Sequence, residues 1–287
     1  MHKTFWLLAL LVAAFMPSAH ANEAQPCDGE TVKAVADWAG VEGKLVSWDE
    51  ELDGQWGLIA AAACKVMPNT PDTTIVAIAF DINHSGAPPL GGYEDLLQVI
   101  ALVEAGKVIA ANRAIFEQAI NMIVGSNSYR IDTARYVLSG DVRAFGIVFD
   151  PFSPNEKCPD PIYGKNLTLW IREGENLRAV FETHLHGWGT IDAWSCRGQG
   201  LGKGEGWEES AKLTLSVEKT SSHGFADLAI TAHVTRELCV DHEDCSVTEK
   251  HTARKIVKYD GKSYGSEYSS RFWWPHEVLQ RGKTEAQ

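Results

Sequence analysis

The chain has 287 residues, of which 45% are hydrophobic, 22% charged and 9% aromatic. That composition belongs to a folded globular protein and excludes wholesale disorder, a collagen-like repeat and a low-complexity chain. The formal net charge is −12; without a basic run the chain lacks the clustered Lys and Arg that phosphates require, so no nucleic-acid partner is expected.

The first element is a leader. Lys3 gives a positive start, Phe5 to Met16 is an unbroken apolar run of 12 residues, Pro17 and Ser18 break it, and Ala19-His20-Ala21 is a small-x-small cleavage site. This is the pattern of a secretory signal peptide over residues 1–21. Twelve helical residues rise only about 18 Å, too short for the ~30 Å hydrocarbon core, so the run is not read as a membrane anchor. No later stretch is apolar enough to span a membrane, and Ala24-Gln25-Pro26 before Cys27 does not resemble a lipobox. Taking 21 residues and the charge of Lys3 from 287 and −12 leaves 266 residues at −13. The expectation is a periplasmic or secreted protein whose residues 22–287 form one β-rich domain.

Beyond the leader, Glu30 to Trp38 reads as a helix. Period-2 alternation then dominates. Trp56–Val66 and Thr73–Ile82 read as strands around a turn at Pro68–Asp72. Asp95–Val103 and Lys107–Phe116 form a hairpin around Glu104-Ala105-Gly106, and Glu117–Val124 reads as a second helix. Tyr129–Val137 alternates and turns at Ser139-Gly140-Asp141 into Val142–Phe149. Leu167–Arg172 and Leu177–His184 flank Glu173-Gly174-Glu175-Asn176. Lys212–Val217, Ala226–Thr235 and Thr252–Tyr259 complete the strands. Short local links between strands predict antiparallel hairpins in a sandwich, barrel or propeller-like stack. Four of the 11 prolines fall between Pro151 and Pro161, which marks 150–165 as the place where two lobes would meet.

All six cysteines lie beyond the leader, and an even count in an exported chain predicts disulfides. The expected set is sequential: Cys27–Cys64, Cys158–Cys196 and Cys239–Cys245. The last is favoured by the polar loop between its members. Without a C-x2-C pair, zinc thiolate chemistry is not expected.

Chemical motifs are sparse. Gly198 to Gly206 alternate, but Arg197 and Gly204 stand where a phosphate loop needs Gly and Ser or Thr. Trp188, Trp194 and Trp207 in or beside that stretch are candidates for a sugar- or partner-binding surface. His184 and His186 project from one strand face, as two zinc ligands would, with His223, His233, His242 or His251 as a third. Asp49, Glu50, Glu51 and Asp53 offer a general acid and base only if they leave a solvated run. Ser216-Val217-Glu218-Lys219 fits S-x-x-K but lies in a strand-like stretch, and G-x-S-x-G is absent. No catalytic residue is assigned.

Asp81-Ile82-Asn83-His84-Ser85-Gly86 places oxygen-bearing side chains at alternate positions before a glycine, which suits Ca²⁺. With Asp95-Leu96 as the closing pair, it resembles one loop of the FG-GAP/VCBS-type repeats of β-propellers. That resemblance implies Asp81, Asn83, Ser85 and Asp95 as calcium ligands. It departs where Ser85 replaces an acid and where six extra residues precede Asp95. A longer stretch, Ser128 to Tyr136 followed by Val142-Arg143-Ala144-Phe145-Gly146, resembles uncharacterised exported bacterial β-rich proteins. That likeness implies export and β structure, and no activity. Within it, Arg130, Asp132 and Arg135 suit an ion-pair ladder or a functional cluster.

The functional expectation is an exported binding protein without a cofactor, leaning away from an enzyme. Its sharpest form is an inhibitor or immunity-type protein that captures a basic cell-envelope enzyme. Net charge favours a cationic partner, and tryptophans anchor interfaces. The alternative is a periplasmic hydrolase of cell-envelope material.

Overall fold

Asp28, Glu30 and Gly40 delimit the helix before any packing is considered. The structure, a computed structural model, describes residues 25–48, 50–52, 55–82, 95–117, 122–152, 162–190, 205–240, 244–268 and 272–274. Helix α1 spans Gly29–Ala39. The Asp28 carboxylate accepts from the Thr31 amide at 2.8 Å, and Glu30 sits in the first turn, where the helix dipole favours an anion. Gly40 ends the helix with φ 73°, a conformation glycine adopts without strain, and the Val41 amide reaches back to the Ala36 carbonyl. Val32, Val35, Ala36 and Ala39 recur at helical spacing and are buried.

Strands make up 68% of the described residues. They are β1 (Glu51–Leu52), β2 (Gln55–Trp56), β3 (Ile59–Met67), β4 (Thr70–Asp81), β5 (Asp95–Glu104), β6 (Lys107–Glu117), β7 (Tyr129–Val137), β8 (Arg143–Phe149), β9 (Ile162–Glu173), β10 (Asn176–Thr190), β11 (Glu205–Ser222), β12 (Phe225–Val240) and β13 (Asp244–Val257). β1 and β2 form their own small pair, and the other 11 belong to one open sheet. β3 to β6 are an antiparallel meander, and so are β7 to β13. A single parallel bridge, Asn176 to Ala111, joins β10 to β6. The mainly β, hairpin-based expectation holds, and the open sheet takes the form of stacked layers rather than a closed barrel.

Three apolar cores separate the layers. α1 covers the outer face of β3–β6 through Val35, Ala36, Val76, Ile78, Phe80 and Val99. The inner face of the same strands, with Ala77, Ile100 and Leu102, packs on Ile131, Phe145, Ile147 and Trp170 of β7–β9. The other face of β7–β10, with Val148, Leu169 and Phe181, packs on Ala211, Leu213, Ile230, Val234 and Val257 of β11–β13. β3–β6 are therefore covered on both faces, and β11–β13 have their core on one.

β10 carries three partners along one edge. Its start meets β6; its middle meets residues 264–267, through Tyr264 N–H to Val180 O and Glu267 N–H to Glu182 O; its end pairs with β11 from His186 to Thr190. Gly187 is required there, because a Cβ would lie 2.6 Å from the buried Trp273 ring. Trp273 and Trp274 thereby fix the C-terminal segment onto the third core.

Cys27–Cys64 ties the segment before α1 to β3, and Cys239–Cys245 links paired positions of β12 and β13, both as expected. Cys158 and Cys196 lie outside the described residues, as does the expected leader over residues 1–21. The expected helix over Glu117–Val124 is corrected at its ends, with residues 118–121 lying outside the described residues. Glu117 closes β6, and Ile123 exchanges backbone hydrogen bonds with Phe152, which is extended pairing. The turn expected over Pro68–Asp72 is a two-residue loop, Pro68-Asn69, with Asn69 at φ 70°, and β4 already begins at Thr70. β8 and β9, on either side of the proline-rich stretch, are paired neighbours in one sheet.

Candidate functional site

In β11, residues 211–214 alternate buried and exposed, and β12 and β13 alternate in step. Ala211, Leu213, Ala232 and Val234 point into the third core. The intervening residues must face the other way, since a strand alternates faces. The register then fixes which of them are neighbours. His186 of β10 pairs with Lys212, Lys212 with His233, and His233 with Thr252. The flanking row runs Trp188, Ser210, Thr235, Lys250. The other flank runs Thr214, Thr231, Arg254. Strands lie about 4.8 Å apart, and same-face residues about 7 Å apart along each strand.

The result is an open four-strand face with cations, imidazoles and hydroxyls in ranks. Lys212, His233, Thr252, Lys250 and Arg254 are exposed. Lys212 and Lys250 have no ion pair among the described residues. Arg254 pairs with Glu218 at 2.6 Å, with about half of its side chain still exposed. On a chain of net charge −12 this gathers three cations on one face, between Glu208 and Glu218 of β11. Among the described residues β13 is an edge strand of the sheet, and its lysines and arginine also oppose unwanted strand pairing.

The tryptophans expected to form one surface are divided. Trp188 is half-buried on the open face, with its indole N–H donating to Glu208 Oε2 at 3.3 Å. Trp207 is three residues from Ser210, the partner of Trp188, and so projects from the opposite face, where it is 36% exposed. Trp194 lies outside the described residues. His184 and His186 do share a strand face. His184 Nδ1 is 2.7 Å from Asn166 Oδ1, and its ring packs on Tyr268 at 4.7 Å. Burial lowers the His184 pKa, opposed by a backbone hydrogen bond at Tyr268, which favours the neutral imidazole. His233 sits beyond Lys212, two strands from His186; His251 belongs to the other face; and His223 Nδ1 is 2.9 Å from the Tyr259 carbonyl. His242 lies outside the described residues. Among the described residues no third ligand joins His184 and His186 in a zinc arrangement.

Asp81 is buried at the end of β4, opposite Leu96, with its amide on the Leu58 carbonyl at 2.9 Å. Asp95 opens β5 opposite Glu117. Asn83 and Ser85 lie outside the described residues. The one cluster of three potential ligands among the described residues is Glu208, Cys239 and Cys245, and its sulfurs are joined in a disulfide, so no thiolate is available. Asp132 accepts from the Tyr136 hydroxyl at 2.8 Å and the Ala134 amide at 2.9 Å, committing it to the β7 bulge rather than to an arginine ladder.

One polar group was missed by sequence reasoning. Glu209 is fully buried on the core side of β11. Arg236 Nε and Nη2 both donate to its Oε2, at 3.2 and 3.1 Å, and Arg236 Nη1 reaches Glu249 at 3.2 Å. Among the described residues Oε1 has no hydrogen-bond partner. Burial pushes this carboxyl above the usual carboxylate range, and Arg236 reduces the push. In sequence Glu208-Glu209 is an ordinary acidic pair; only the register shows that Glu209 faces Arg236.

No family model matches the chain, and no curated protein or solved structure matches it at a significant level. No helix among the described residues is long and apolar enough to cross a membrane.

Proposed function

We propose that this is an exported binding protein whose docking surface is the open face of β10–β13, and that its ligand is an anionic, hydroxyl-rich polymer of the acidic-glycan class. The carrying observation is the row Lys212–His233–Thr252, continued by the half-buried His186, with Lys250 and Arg254 beside it, exposed on a sheet whose other face is a core. Lysines without ion pairs attract anionic groups over several ångströms and release counterions on contact, so binding falls as salt rises. The threonine and serine hydroxyls between them donate to and accept from sugar hydroxyls. Two disulfides and the leader-like N-terminus support export.

The net charge of −12 favours a second reading, capture of a basic envelope protein, which would use a different surface. Retention on immobilised dextran sulfate and on polylysine separates the two. The glycan reading expects salt-sensitive retention on dextran sulfate, none on neutral dextran, and loss in the Lys212→Glu/Arg254→Glu variant. Retention on polylysine alone would overturn it in favour of the basic partner.

A further inference from the structure

α1 is shorter than the sheet it covers. Its 11 residues rise about 16 Å, whereas β4 to β6, of 10 to 12 residues, run roughly 33–40 Å. The helix ends at Gly40, and the outer face of these strands continues beyond it as an apolar stripe. Leu97 lies opposite Ile115, and Arg113 lies opposite Val99 on the same face. Ile115 is 62% exposed and Ile82 is 40% exposed, and the two contribute to one groove. Together with Ala39, Leu97 and Arg113 they line a groove of about 460 Å³, within the roughly 300–1,000 Å³ range of small-molecule sites.

Arg113 makes this groove chemically specific. Its single hydrogen bond among the described residues is a long one, Nη1 to the Ala39 carbonyl at 3.5 Å, at the helix C-terminus. That contact holds the guanidinium at the groove wall and leaves the rest of its donor fork for an anion. A planar carboxylate matches that fork. We propose that the groove binds a single-chain amphiphilic carboxylate of the fatty-acid class, its tail along Ile82, Leu97 and Ile115 and its head group on Arg113. The site is on the helix-covered layer and uses none of the residues of the β10–β13 face.

Calorimetric titration with decanoate, below its micelle concentration, tests it on the full chain. Saturable one-to-one binding is expected, with decyltrimethylammonium, which has the same tail and a cationic head, weaker by about tenfold or more. Arg113→Gln should weaken decanoate by a similar factor, and Ile115→Asp, at an exposed position that does not threaten folding, should abolish it. Lys212→Glu should leave it unchanged. Equal binding of the two amphiphiles, no binding of decanoate, or wild-type affinity in Ile115→Asp would overturn the proposal.

Discussion

β3–β6 and β10–β13 are both antiparallel meanders of long strands, yet they read differently along the chain. Residues 75–81 of β4 are buried almost without a break, because α1 takes one face and β7–β9 the other. β11 alternates, because one face is core and the other is open. A strand buried twice has little freedom to carry polar chemistry. A strand buried once can carry a full rank of it, as β11 does along its open face.

The largest effects should fall in the doubly covered layer. Phe80→Ala removes a fully buried ring and should cost about 3–5 kcal/mol in urea unfolding, while Thr252→Ala on the open face should stay within about 0.5 kcal/mol. Similar costs for both would erase the distinction.

The disulfides sharpen it next. Cys27–Cys64 closes a separation of 37 residues and Cys239–Cys245 one of 6. Chain-entropy arguments give about 4 and about 2 kcal/mol, so Cys27→Ala/Cys64→Ala should melt well below Cys239→Ala/Cys245→Ala. The reverse order would mean that the β12–β13 edge, not the helix layer, limits stability.

Glu209 gives a smaller, pH-dependent effect. Its folded pKa lies above the unfolded value, so its contribution is favourable below the unfolded pKa and is lost as pH rises through the folded one. Glu209→Gln should therefore be more stable than the parent at pH 8, with the advantage shrinking as pH falls into the weakly acidic range. A variant less stable than the parent at pH 8 would show that the Arg236 pairing outweighs burial.

Much of this was legible in the sequence, and the failures have causes. Hairpins at Ala105-Gly106 and His223-Gly224 close with both turn residues at positive φ, and each leaves a local signature. The helix reads directly from its cap and apolar spacing. The Glu117–Val124 error arose because Ile123 finds its partner, Phe152, far along the chain. The same limit hid the site. Lys212, His233 and Thr252 are unremarkable singly, and only a register spanning three strands makes them neighbours. Trp188 and Trp207 looked like one cluster because both lie near the same glycine stretch, yet the strand period sends them to opposite faces.

The central proposal, that an acidic glycan docks on the once-covered layer, is tested most directly by lysine footprinting. Acetylation of the native protein with and without dextran sulfate, read by mass spectrometry, compares Lys212 and Lys250 on the open face with Lys33 and Lys107 on the helix layer, all exposed in the free chain. The account predicts protection of Lys212 and Lys250, with Lys33 and Lys107 modified as before. Protection of Lys33 and Lys107 with Lys212 and Lys250 still reactive would contradict it.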